Sequence, residues 1–247
     1  MQISVELYGD EIGKVDYVAH MGDDRTVVNA ARVSFGKEVE SMSKRDEKLI
    51  NYLIKHKHSS VLEHCSITFR FKVPLFVRSQ HHRHRTWSYN EISRRYTDFN
   101  LEFYEPKLFR QQSESNRQAS TDCLFDPHLG EVLGLASEVI KEHNESSIYL
   151  YNSLLDAGIC REQARGVLPQ NLYTEYLGTT NLNNLFKFIV LRIHEGAQWE
   201  IQVVAKACLK MTLGLYPITT HAFINNLKDE VLKKEMLMFL STCTDIK

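Results

Sequence analysis

Ile67, Phe69, Phe71 and Val73 alternate with polar residues and run straight into Pro74. A period of two with one apolar face specifies a half-buried strand, and the proline ends it. The segment just beyond Pro74 is neither a second apolar strand nor a simple turn. Residues 78 to 95 carry five arginines (Arg78, Arg83, Arg85, Arg94, Arg95), three histidines (His81, His82, His84) and one acid, Glu91. The chain must therefore fold so that a core strand delivers a dense cation cluster to a defined place. The net formal charge is −1, so this positive density is local. Guanidinium forks match phosphate or carboxylate two-pronged and never lose their charge. The segment reads either as a solvated basic helix or as a site for a phosphate-bearing ligand. Trp87, Tyr89, Ile92 and Tyr96 flank it, which favours the second.

The elements around this strand suggest an α+β architecture, because strands are few and do not alternate regularly with helices. Met1 to Leu7 alternates as a first strand. Helices are expected over Thr26 to Val33, Lys44 to Lys55 and Phe76 to Arg85. Gln111 to Asp126 reads as a solvated loop. Val132, Leu135, Ala136, Val139 and Ile140 mark an amphipathic helix that ends before Gly158, a suitable C′ glycine. A short helix near Arg161 to Val167 stops at Pro169, and Leu172 to Thr180 is β-prone. Asn181 caps a helix to about Ile193, and Ala197 to Leu213 forms another.

The 247 residues allow one large domain or two small ones, and no linker or repeat divides them. Near-neutral charge argues against broad nucleic-acid or membrane binding. No apolar run reaches membrane-spanning length, and the first residues do not read as a signal peptide, so cytoplasmic residence is the default expectation. Five cysteines, Cys65, Cys123, Cys160, Cys208 and Cys243, are scattered without a C-x-x-C pair. Most read as small buried hydrophobes, and the set does not read as a disulfide framework or a zinc site. Cys65 stands beside His64, but strand neighbours point to opposite faces.

No G-x-G-x-x-G and no G-x-x-x-x-G-K-[ST] occurs. Any nucleotide must be held by side chains and not by a glycine loop. On a helix His81 and His84 share a face, with Arg85 one turn beyond His81, so this turn would show all three to one partner. Arg192 follows Phe188 by four positions and Leu185 by seven, on an apolar stripe. It either reaches back to an acid such as Glu195 or faces a buried ligand, where its charge could stabilise a forming anion. Arg165 is either an exposed cation paired with Glu162 or a third anion contact.

Together these residues carry a resemblance. Arg83-His84-Arg85, seven residues, then Ser93 resembles the signature of the flavin-dependent thymidylate synthases. Ala31 to Phe35, His58 to His64, Ser88 to Glu91, Arg95-Tyr96, Val167 to Tyr173, Leu191-Arg192 and Ala197 to Glu200 fit the same family in order. The resemblance implies one synthase domain over residues 1–247, with a small antiparallel sheet and several long helices, assembled as a homotetramer with active sites between subunits. It implies reductive methylation of dUMP to dTMP. Methylenetetrahydrofolate would supply the carbon, NADPH the reducing equivalents and FAD the relay, with no cysteine nucleophile and no metal. Carried over by position, Ser60, Arg83, His84, Arg85, Glu91, Asn181, Leu182, Asn183 and Lys187 touch FAD, with His58 on its folate side. Gln80, His81, His82 and Arg83 line the dUMP site, as do Glu91, Ile92, Ser93, Arg94 and Arg95. Arg165 reaches it from another subunit. Arg192 sits at the uracil, where it favours the N3-ionised form. His81 and His82 depart from the usual aromatic pattern, Arg94 from a small residue, Lys187 from asparagine and Gly196 from histidine.

At residue level two further readings remain: a metal hydrolase built on the clustered histidines, and a single-strand nucleic-acid binder stacking bases on Trp87 and Tyr89.

Overall fold

A computed structural model of the chain describes residues 3 to 242. The alternating segment forms β3 (Ser66–Pro74), and it lies at the centre of the fold. Ile67, Phe69, Phe71 and Val73 are all fully buried. Around β3 the sheet is built from β1 (Ser4–Glu6), β2 (Lys14–Met21), β4 (Ser88–Glu91) and β7 (Tyr173–Asn181). The order is β1-β2-β3-β7-β4 and every neighbour is antiparallel. β3 and β7 stay in register from Ser66 opposite Asn181 to Pro74 opposite Tyr173. Their outward residues pair as Thr68 with Thr179, whose hydroxyls lie 2.9 Å apart. The first strand is shorter than its alternation suggests, and Met1 and Gln2 lie outside the described residues.

The helices are α1 (Asp24–Arg32), α2 (Lys44–Lys55), α3 (Leu75–His81), α4 (Gly130–Leu133), α5 (Ala136–Asp156), α6 (Arg161–Ala164), α7 (Leu182–Ile193), α8 (Trp199–Leu215), α9 (Pro217–Asn225) and α10 (Glu230–Ser241). Single 3₁₀ turns follow α1 (Val33–Phe35) and α6 (Arg165–Val167), and Ser59–His64 forms a longer one before β3. The α7 start is written in the sequence. Asn181 accepts from the Asn184 N–H at 2.9 Å, and Leu182, Leu185, Phe186, Phe188, Ile189 and Ile193 bury one stripe against the sheet. α8 packs beside it through Ile201, Val204, Ala205, Cys208 and Leu209. The Tyr216 hydroxyl ties this layer to the sheet by donating to Met21 O at 2.9 Å and Ser66 O at 3.4 Å. A smaller core of Phe103, Tyr151, Ala164, Leu168 and Leu172 lies where α5 and α6 meet the residues before β7. Among the described residues no helix is long and apolar enough to cross a membrane.

Two expectations fail outside the sheet. Gln111 to Asp126 is not a solvated loop but most of a hairpin of β5 (Phe109–Gln112) and β6 (Ser120–Phe125). The Gln112 side-chain amide holds the turn by donating to Asn116 O and Ala119 O, which period-two reading does not detect. The amphipathic helix does not begin at Val132, which is 94% exposed on α4. Gly134 at φ +89° breaks the run. Asp126 then accepts from the Ser137 N–H at 3.1 Å, so that α5 starts at Ala136.

Candidate active site

α3 grows directly from β3. Its first free N–H groups are met by the chain leading into β7: Leu75 donates to Leu172 O and Phe76 to Gln170 O. The spacing predicts a helix to Arg85, but α3 ends at His81. The reason is His81 itself. Its ring is fully buried among Phe71 (centroids 4.7 Å), Trp87 (4.5 Å) and Phe188 (4.6 Å), and Nδ1 lies 2.9 Å from the Tyr176 hydroxyl. The chain then reverses so that β4 can pair with β7. Gly178 makes room for this box. A Cβ there would stand 2.9 Å from Phe71 and 3.3 Å from Trp87. Burial holds the His81 pKa well below the usual imidazole range. The expected face shared by His81, His84 and Arg85 does not exist: the His81 side chain belongs to the core and offers nothing to a ligand.

His84 turns the other way, to α7. Arg192 donates through Nε to His84 Nε2 at 3.1 Å and through Nη2 to Gln80 O at 3.1 Å. An arginine Nε–H is always a donor, so His84 Nε2 must accept, which leaves its proton on Nδ1. Burial and the Arg192 charge hold its pKa at about 4, consistent with a neutral ring. Burial, then the neighbouring Arg83, lower the Arg192 pKa, yet a guanidinium stays charged at any working pH. Of the two alternatives for Arg192, the contact with Glu195 is not the one formed.

A cavity of about 530 Å³ opens between β4 and α6. Glu91, Ile92, Ser93, Arg94 and Arg165, all expected at the nucleotide, line it. Glu91 accepts from the Thr174 hydroxyl at 2.7 Å and pairs with Arg78 Nε at 3.1 Å. Arg94 donates to three backbone carbonyls, Phe99 O, Asn100 O and Tyr173 O, and so fixes the loop after Ser93. Arg95 and Glu162 pair at 3.2 Å across the rim. Arg165 lines this wall together with Ser93 of the same chain. Gln80, His82, Arg83 and Arg192 do not line this cavity. Arg78 and Thr174 do, and were missed. Arg78 was visible in the cation run, whereas nothing local marks Thr174, which owes its place to the β4–β7 register.

A second cavity of about 640 Å³ lies beneath α7. Its floor is apolar, with Ile54, Leu62, Phe186, Val190 and Phe223, and its rim carries Lys57, His58, Ser59, Asn183 and Lys187. Three residues expected at the flavin, His58, Asn183 and Lys187, are here. Ser60 is exposed beside Ser59, and Arg83 and Arg85 are exposed off both walls. Asn181 spends its side chain capping α7, and Asn183 donates to Glu63 at 2.9 Å. Leu182 is fully buried in the core, so a flavin contact through its side chain is ruled out. An apolar floor for a planar ring, rimmed by imidazole, hydroxyl, amide and ammonium groups, fits a flavin.

A family model described as thymidylate synthase complementing protein matches residues 16–218. A flavin-dependent thymidylate synthase of Thermus thermophilus is 44% identical over 215 residues, covering 87% of this chain and 77% of its own. This chain belongs to the flavin-dependent thymidylate synthase family. A member from Kosmotoga olearia is 41% identical over 215 residues, 87% of this chain and 91% of its own. The UMP/dUMP methylase PolB from Streptomyces cacaoi, solved bound with 5-Br dUMP, superposes with a TM-score of 0.73 at 32% identity, covering 90% of this chain and 97% of that one.

For an enzyme of this family the cysteines matter. Cys65 is buried, its Sγ–H donating to Asp23 O at 3.7 Å, and burial pushes its pKa up to about 12. Cys208 is fully buried and its pKa is also raised. A nucleophilic thiolate needs the opposite shift. Cys123 and Cys160 are exposed, and Cys243 lies outside the described residues. Among the described residues no three His, Cys, Asp or Glu side chains converge as metal ligands would.

Proposed function

We propose that this enzyme methylates dUMP to dTMP, with FAD in the cavity under α7 and the nucleotide phosphate at the cavity between β4 and α6. The observation that carries the reading is the Arg192–His84–Gln80 O constellation. A permanently charged, half-buried guanidinium is held with fixed geometry by a neutral imidazole and a carbonyl. Such a cation stabilises negative charge developing on a uracil ring and so favours loss of its N3 proton. Electron density released in that way makes C5 the nucleophile, and no protein thiol is required. The two buried cysteines, with raised pKa values, support this.

The overall change balances as dUMP, methylenetetrahydrofolate, NADPH and a proton giving dTMP, tetrahydrofolate and NADP. The bound flavin supplies the two-electron relay. Arg165 and Ser93 would hold the phosphate, with Arg78 and Thr174 keeping the Glu91 carboxylate aimed. His58, Asn183 and Lys187 would hold the flavin. Arg192 and Arg83 line neither cavity with Ser93 in one chain. That division supports a homotetramer in which one subunit's Arg192 and another's Ser93 meet one nucleotide. The whole chain then serves as one synthase domain, working in the cytoplasm.

The first test is an absorbance spectrum with added FAD and then dUMP, followed by an assay for dTMP. Flavin bands that shift on adding dUMP, with dTMP formed when folate and NADPH are present, are expected. A protein that takes up no flavin and forms no dTMP sinks the reading.

A further inference from the structure

The Arg83-His84-Arg85 turn is held by Tyr89, a residue that lines neither cavity. Within the turn His84 N–H donates to His81 O at 2.9 Å and Trp87 N–H to His84 O at 3.3 Å. Both carbonyls also receive the Tyr89 hydroxyl, at 2.9 Å from His81 O and 3.1 Å from His84 O. One O–H shared between them spans the turn and fixes its height. The hydroxyl is itself fixed to the sheet. Tyr89 pairs opposite Gly178 on β7. Its ring lies parallel to Trp87, 6.2 Å away with 5° between planes, and 4.1 Å from the His82 ring. Arg192 grips the chain on either side of this pin, at Gln80 O and at the His84 ring.

We propose that Tyr89 is a positioning residue for the methyl-transfer site: its hydroxyl sets where the His84 ring meets Arg192. The proposal rests on the synthase reading above. Losing the hydroxyl leaves each carbonyl with its backbone donor, so no buried polar group is orphaned. The loss is geometric, and misplacement by about 1 Å costs up to roughly 100-fold in rate.

Tyr89→Phe therefore lowers kcat about tenfold or more, with the dUMP KM changed far less. Tyr216→Phe is the matched control. It too removes a tyrosine hydroxyl shared between two backbone carbonyls, here at β2 and β3 and not in the turn, and it lowers the melting temperature at least as much while keeping kcat. Normal turnover in Tyr89→Phe overturns the proposal. So does an equal kcat loss in Tyr216→Phe, which would mean that turnover merely tracks stability. Amide exchange at His84 and Trp87 reads the pin without turnover. It should rise about tenfold in Tyr89→Phe and stay level in Tyr216→Phe. Unchanged exchange overturns the pin. A wild-type protein that makes no dTMP sinks the synthase reading instead, and the exchange result still decides the pin.

Discussion

The two cavities are built on opposite principles. The one under α7 has an apolar floor with its charge at the rim, on Lys57 and Lys187. The one between β4 and α6 holds three guanidiniums, of Arg78, Arg94 and Arg165, and two carboxylates, of Glu91 and Glu162. The first can accept a flat ring by excluding water. The second accepts an anion largely by exchanging partners, because Arg78 and Arg94 already have acceptors. On the proposed reading an incoming phosphate competes with Glu91 for Arg78 and, beside the cavity, with Glu162 for Arg95. Affinity in the polar cavity should therefore depend on salt more steeply than affinity in the apolar one. Arg192 lines neither cavity, so within one chain the proposed uracil-activating charge stands apart from both walls.

That separation can be broken by mutation. Arg192→Ala should lower kcat roughly a thousandfold, as removal of one charge-stabilising donor does, with flavin content kept; steady-state kinetics and the absorbance spectrum check it. Arg165→Ala should raise the dUMP KM about ten- to a hundredfold, the loss of one charge-assisted contact, again with flavin kept. Lys187→Ala should do the reverse: flavin affinity falls about fivefold by fluorescence titration, and the dUMP KM holds. If Lys187→Ala moved the KM and Arg165→Ala the flavin, the two assignments would be exchanged.

His84 gives the enzyme a pH dependence. Its folded value of about 4 lies below the ordinary 6.5, so the unfolded chain takes up the proton first. The stability this gives is full above about pH 6.5 and is lost as pH falls through about 4. Urea unfolding between pH 7 and 4 should show a shallower decline in His84→Gln than in the wild type. The smallest effect concerns the cysteines. Cys65→Ser, Cys123→Ser, Cys160→Ser and Cys208→Ser should each keep turnover, although the two buried positions should lose about 1–3 kcal/mol of stability from a desolvated hydroxyl. Complete loss of turnover at one of them would restore a thiolate mechanism.

What was legible in the sequence lay where one physical rule acts alone. β3 declared itself by alternation with no competing period. Asn181 and the apolar stripe after it gave α7, and with it the position of Arg192. His81 could not be read correctly, because i, i+3 spacing says that two residues share a face, not which way the chain turns after the first. Its burial depends on Phe71, Tyr176 and Phe188, three segments that meet only in the folded sheet and α7. The β5–β6 hairpin was hidden for another reason: a side-chain amide holds its turn where glycine or proline usually would. Glu91 illustrates both cases, since its charge was plain in the sequence while its partners Arg78 and Thr174 came from a helix and a neighbouring strand.

Gly178 has a wider consequence. The atom it lacks is the space occupied by Phe71 and Trp87, so these three positions form one unit of heredity. A larger residue at 178 is tolerable only alongside a smaller ring at 71 or 87. Across descendants of this chain the three should therefore drift together or not at all.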